Sequence, residues 1–203
     1  MMIFKIALII MPIKHNSKRL SEEVFLTYND GRAVLIKTVD SVDGKKITKI
    51  FRRAGGESVS VIPVVEDSVI LIRQYRPAVR DSRFGAKGGW LLEVPGGKVN
   101  KGERIAAAAA RELEEETGYR AGRLRFLCRR LLAPYMIDAV DSVFVADNLT
   151  KSKSRRDADE AIELAPTKIS KVEELIEKGE LSDMASRDAL LHWLYFSRKQ
   201  KGI

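Results

Sequence analysis

The chain has 203 residues, 45% hydrophobic and 32% charged, with one cysteine and two histidines. This is too apolar for a disordered chain and long enough for one large domain, or for a domain with an appendage. The lone Cys128 excludes an intrachain disulfide and a multi-cysteine zinc site, and no apolar run reaches the ~18 residues that span a bilayer.

Residues 1–13 are apolar apart from Lys5 and lack the basic start and small-residue cleavage site of a signal peptide. They read as an N-terminal strand, or as an early start with Met11 the true one, in a cytoplasmic protein. Residues 24–28 and 33–36 flank Asn29-Asp30-Gly31 as a hairpin, and Val42-Asp43-Gly44-Lys45 turns into a strand over 46–51. Gly55-Gly56 closes this stretch, so residues 1–56 read as an antiparallel β appendage and 57–203 as the main domain. Runs at 59–65 and 69–75 form another hairpin about Glu66-Asp67-Ser68, followed by a Pro/Gly/Arg-rich loop over 76–89 and a short strand over 90–94. Five consecutive alanines, Leu113 and several Glu and Arg predict a helix over 105–117, with Gly118 as its C-cap. Strands follow at 124–132 and 140–146, a polar loop at 151–156, and helices at 171–177 and 183–198.

Charge is distributed unevenly. The net is +8; residues 1–20 carry four basic and no acidic side chains, and residues 61–100 carry six basic against four acidic. Such a surplus favours anionic partners without choosing among them. Two Gln and four Asn beside 36 basic and 28 acidic residues fit a thermophilic source.

On the predicted 105–117 helix, Glu112, Glu115 and Glu116 are spaced i, i+3, i+4 and share a face, while Glu114 points elsewhere. Like charges at those spacings cost a few tenths of a kcal/mol per pair and oppose the helix dipole near its C-terminal end. Hard oxygen ligands on a rigid helix are what Mg²⁺ or Mn²⁺ needs. A solvated acidic face neutralised by Arg111 and Arg104 is the alternative.

From Gly97 the chain reads five residues, Glu103, seven residues, Arg111-Glu112-Leu113, one residue, Glu115-Glu116, one residue, Gly118-Tyr119. This resembles the Nudix hydrolase signature at all nine of its specified positions. Gln74-Tyr75-Arg76, Leu92-Glu93-Val94-Pro95-Gly96-Gly97, Pro134, Asp159-Glu160-Ala161-Ile162-Glu163 and Leu181-Ser182-Asp183 extend the resemblance to the ADP-ribose pyrophosphatase branch.

The resemblance implies an α/β fold, a Nudix-like α/β/α sandwich with a mixed sheet, beside the N-terminal antiparallel β appendage. It implies metal-dependent hydrolysis of a nucleoside diphosphate linked to another moiety, with ADP-ribose giving AMP and ribose 5-phosphate. Glu112, Glu115, Glu116 and the Gly96 carbonyl would hold Mg²⁺ (or Mn²⁺). Glu103 would support the loop–helix junction and Arg111 would orient the glutamates by bidentate pairing. Glu160 is the candidate general base, unless it and Glu163 only begin a solvated strand. Arg76, Glu93 and Arg53 are candidates near substrate, and Tyr28, Phe51, Phe84 and Trp90 are possible adenine-stacking partners. Cys128 reads as a buried, inert thiol and His192 as structural.

After Pro134, relatives often carry Gly and then Glu; here Asp138 or Asp141 would have to substitute. Relatives are homodimers whose N-terminal sheet reaches across to the other subunit, which the appendage here would match. The partners expected are a small nucleotide and a second copy of the chain, with no nucleic acid and no membrane. Other readings are a Nudix hydrolase of a different nucleotide sugar or dinucleotide polyphosphate, and a non-catalytic nucleotide- or RNA-binding module. The intact Glu112, Glu115 and Glu116 set argues against the last.

Overall fold

The structure, a computed structural model, describes residues 17–27, 33–53, 56–79, 88–152 and 161–200. Contacts divide the chain into two units, 1–53 and 54–203.

In the first unit, β1 (Ser17–Thr27), β2 (Ala33–Val42) and β3 (Lys45–Arg52) form a three-stranded antiparallel sheet in that order. Asp43 and Gly44 join β2 to β3 with φ of 48° and 82°, the left-handed pair that a two-residue hairpin loop needs to match strand twist. Ile36, in register with Val24 and Phe51, is fully buried. Arg19 pairs with Glu22 and Asp40, and Arg53 pairs with Glu22. The expected Asn29-Asp30-Gly31 turn lies outside the described residues.

The second unit is a mixed seven-stranded sheet. Its strands are β4 (Glu57–Val65), β5 (Ser68–Tyr75), β6 (Trp90–Glu93), β7 (Gly96–Lys98), β8 (Tyr119–Leu132), β9 (Ala139–Lys151) and β10 (Ile162–Lys168). The main path runs β10-β5-β4-β9-β8, with β6 paired to β5 and β7 to β4; β4 and β9 run parallel, the other pairs antiparallel.

Side-chain alternation along the central strands gives each face its own core. Val59 and Val61 of β4, with Phe144 and Ala146 of β9, meet Ala108, Ala109 and Leu113 of helix α1 (Ile105–Thr117). Ile62 of β4, Val69 and Leu71 of β5, and Val143 and Val145 of β9 point the other way. They meet Val172 and Ile176 of α2 (Ile169–Glu177) and Ala189, Leu190, Trp193 and Leu194 of α3 (Met184–Gln200). The alanines of α1 let its backbone lie close to the sheet. Leu113 is fully buried, a position where truncation to Ala costs ~2–5 kcal/mol.

One strand, β7, was not expected from the sequence, while β10 is the solvated strand that stood as the alternative reading at Glu163. β7 is three residues of Gly-Gly-Lys that pair only because β4 offers an edge. β10 is exposed on most of its length and contains Pro166, which an edge strand tolerates. Others are longer than expected: β1 begins at Ser17, β2 runs to Val42, β8 begins at Tyr119 and β9 runs to Lys151. Cys128 is half-buried rather than buried, with its thiol pushed up chiefly by desolvation. No helix of the described residues is long and apolar enough to cross a membrane.

Candidate active site

The site is built where α1 meets the loop between β6 and β7. Helix α1 spans the expected Ile105–Thr117 and ends as expected: Gly118 adopts φ 72° and its N–H caps the Glu114 carbonyl. The buried stripe Ala108, Ala109, Leu113, Glu116, Thr117 follows helical spacing, so Glu116 sits on the seam between core and polar face. It is 2% exposed, and its Oε2 accepts the backbone N–H of Gly96 at 2.8 Å. A buried carboxylate needs such a charge-assisted bond.

Arg111 neutralises the rest of the face with all five of its donors. Nε and Nη2 fork onto Glu103 at 3.0 and 3.1 Å. Nη1 donates to Glu112 Oε1 at 2.9 Å and Glu115 Oε2 at 2.8 Å, and Nη2 also donates to the Lys98 carbonyl at 3.0 Å. The bidentate pairing expected for Arg111 therefore goes to Glu103, with single bonds to Glu112 and Glu115. Hydrogen bonds from Arg111 and from the Asn100 backbone hold the Glu103 carboxyl below its usual range. The bonds to Glu103, Glu115 and Glu112 raise the Arg111 guanidinium in turn. Glu114 points away to Arg120 and Ser152.

Gly97 leaves the space Glu112 occupies, since a Cβ there would stand 2.4 Å from Glu112 Oε1. Gly96 has backbone above it: a Cβ would stand 2.1 Å from the Val59 carbonyl oxygen. Among the described residues, no group of three or more His, Cys, Asp and Glu side chains stands placed to hold an ion. The donor set nevertheless fits a hard divalent cation. Carboxylates share one rigid helix face against a loop whose glycine keeps their cradle open.

Arg76 forks onto Glu93, Nε to Oε1 at 3.1 Å and Nη2 to Oε2 at 2.6 Å. Burial pushes the Glu93 carboxyl up and Arg76 pulls it back, while Asp183 pushes it further up. The charges of Glu116 and Asp183 act on Arg76, which links this pair to α1 and to the start of α3. Asp183 and Ser186 went unnoticed as site residues in the sequence, although Asp183 before an apolar helix is an N-cap signal; its Oδ2 accepts the Ser186 N–H at 2.7 Å.

Glu160, Tyr28 and Phe84 are outside the described residues. Arg53 belongs to the first unit and pairs with Glu22 at 2.9 Å. Trp90 packs edge-on against Tyr75 with centroids 5.9 Å apart. Glu163 is exposed on β10 opposite Arg73. Asp141, considered as a substitute for a missing Glu, is buried and bonded to Ser58, Ser60 and Arg130, so it serves the core instead.

Residues 56–193 match the NUDIX domain. The chain is 28% identical over 158 residues to an ADP-ribose pyrophosphatase of Bacillus subtilis (strain 168), covering 76% of this chain and 80% of that one. It is 26% identical over 187 residues to the ADP compounds hydrolase NudE of Escherichia coli (strain K12), covering 88% and 96%. The fold is shared with a solved ADP compounds hydrolase at a TM-score of 0.74 and 23% identity, over 92% of this chain and 97% of that one. With the domain matched over more than half of the chain and the glutamate helix in place, the chain belongs to the NUDIX family and is a Nudix pyrophosphohydrolase.

Proposed function

We propose that this enzyme hydrolyses ADP-ribose to AMP and ribose 5-phosphate. The observation that carries the reading is the junction of Glu116 with Gly96, beside Glu112 and Glu115 held by one arginine. Nudix hydrolases generally use divalent metal ions. Held by Glu112, Glu115, Glu116 and the Gly96 carbonyl, Mg²⁺ (or Mn²⁺) would neutralise the pyrophosphate and make bound water more acidic.

The protein's own groups do the rest. Arg111 keeps Glu112 and Glu115 turned to one side and is itself occupied, so it orients carboxylates and does not meet substrate. Arg76, steadied by buried Glu93, offers the remainder of an exposed guanidinium to a phosphate or ribose. Glu160 accepts the proton of the attacking water as the bridging P–O bond breaks and the leaving phosphate departs with its electron pair. The Bacillus and Escherichia relatives, named for ADP-ribose and for ADP compounds, support the choice of substrate.

The enzyme works as a cytoplasmic homodimer in this reading. Its N-terminal sheet would supply Arg53 to the nucleotide site of the other subunit. A panel of nucleoside diphosphate derivatives incubated with Mg²⁺, with products identified, tests the proposal. AMP from ADP-ribose supports it. Cleavage of other members alone shifts the substrate to another nucleotide sugar or a dinucleotide polyphosphate, and tight binding without hydrolysis makes the chain a binding module.

A further inference from the structure

Three consecutive residues before the glutamate helix are pinned by three different elements. The Val94 N–H donates to Oγ of Ser186 on α3 at 2.9 Å. The Pro95 carbonyl accepts the Val61 N–H of β4 at 2.8 Å, and the Gly96 N–H donates to Glu116 of α1 at 2.8 Å. Val94 and Ser186 are 6% and 2% exposed, so water does not replace that first bond if it is lost.

Ser186 is itself fixed from two sides. Its N–H is capped by Asp183 at 2.7 Å. Arg130 of β8 donates to the Ala185 carbonyl at 2.6 Å and to Asp188 at 2.9 Å, which holds the first turn of α3 against the sheet. The same guanidinium donates from Nε and Nη2 to buried Asp141 at 3.1 and 2.8 Å. Asp141 also accepts the hydroxyls of Ser58 and Ser60, each at 2.8 Å. Ser60 is the register partner of Gly96 in the β4–β7 pair. One polar bridge therefore reaches the loop from both ends, through Ser186 to Val94 and through Ser60 to Gly96.

We infer that Ser186 is a positioning residue of the active site: its hydroxyl sets the height of Val94 and so keeps the Gly96 N–H on Glu116. The inference rests on the reading of Glu112 and Glu116 as a divalent-metal site. Removing the hydroxyl leaves a buried N–H unpaired, and the loop relieves this by shifting, which releases the Glu116 carboxylate. Groups that hold ligands in this indirect way cost ~10–100-fold in metal affinity when removed.

The test uses the full chain, with Mn²⁺ alone as the probe, followed by paramagnetic resonance of the free ion in the absence of substrate. S186A and S186C are compared with S186T and wild type, alongside thermal unfolding and ADP-ribose kinetics. S186C keeps the side chain's size with a poorer acceptor, so it is read in the same way should S186A fail to fold. Expected are a ~10–100-fold weaker Mn²⁺ affinity in S186A and S186C, a fall in kcat larger than any change in KM, and recovery of both in S186T. Wild-type Mn²⁺ affinity in S186A and S186C overturns the inference and leaves the metal-site reading standing, even where Tm has dropped. A wild-type protein that neither binds Mn²⁺ nor hydrolyses any nucleotide overturns both.

Discussion

A Cβ on Gly97 would stand 2.4 Å from Oε1 of Glu112, whereas a Cβ on Gly96 would stand 2.1 Å from the carbonyl oxygen of Val59. The two neighbouring glycines are thus required for different reasons. In G97A the obstacle is the far end of a flexible side chain, so Glu112 swings away and the fold persists. Activity should fall ~100-fold, the scale of a misplaced catalytic group, with Tm within a few degrees of wild type. In G96A the obstacle is backbone, so β4 and β7 must part and unfolding should become easier by ~2 kcal/mol or more. Denaturant titration beside steady-state kinetics separates the two variants.

Replacing Glu112 or Glu116 by Gln should lower kcat by at least ~100-fold. From the sequence, the charge cluster looks repulsive, and removing one carboxylate is expected to relax α1. The structure reverses that expectation, because Arg111 already compensates Glu112 and Glu115, and Glu116 is bonded to the Gly96 N–H. E112Q should therefore be neutral or destabilised by ~1 kcal/mol in metal-free buffer, since an ion pair becomes a bond from the charged guanidinium to a neutral amide oxygen. Urea unfolding with a chelator present measures this.

Arg111 should resist its usual conservative replacement. A lysine ammonium has three donors on a flexible stem and cannot reproduce a fork on Glu103 together with bonds to Glu112, Glu115 and Lys98. R111K should retain the fold, lower kcat ~10–100-fold and weaken divalent-metal affinity in a direct titration.

The Arg76–Glu93 pair predicts a pH dependence with a definite sign. Burial holds the folded-state carboxyl of Glu93 above its usual range despite Arg76. The folded protein thus keeps this proton longer than the unfolded chain does, and the Glu93 contribution favours folding at low pH and is lost as pH rises through the raised value. In R76A the pull of the guanidinium is gone, the value rises further, and that loss extends to higher pH. The destabilisation of R76A relative to wild type should be smallest in acid and grow toward neutrality. Adding E93Q should flatten the difference, as read from Tm against pH.

Deletion of residues 1–54 tests the proposed assembly. An exchanged N-terminal sheet predicts a monomer by sedimentation, with ADP-ribose affinity reduced ~10-fold or more, which is ~1.4 kcal/mol of lost binding. Divalent-metal binding at the Glu112 cluster should persist. A truncated protein that remains dimeric and binds ADP-ribose normally rejects the exchange.

By itself the sequence determined what depends on residues near one another in the chain. The limits of α1, its αL cap at Gly118, the Asp43-Gly44 turn and the split of Glu114 from Glu112, Glu115 and Glu116 are all local consequences of propensity and helical spacing. The motif from Gly97 to Tyr119 was legible for the same reason: its partners lie within a loop and one helix. Only the tertiary structure decided what depends on distant segments meeting. Gly-Gly-Lys becomes β7 because β4 lends it an edge, and β10 forms because β5 has an open side. Glu116 is buried because the sheet closes over its seam, and Asp141 is buried against Arg130 because β8, β9 and α3 converge there. Ser186 reaches Val94 across 92 residues of chain. No local pattern encodes such a bond; it exists because burial forces each polar group to find whichever partner packing brings within reach.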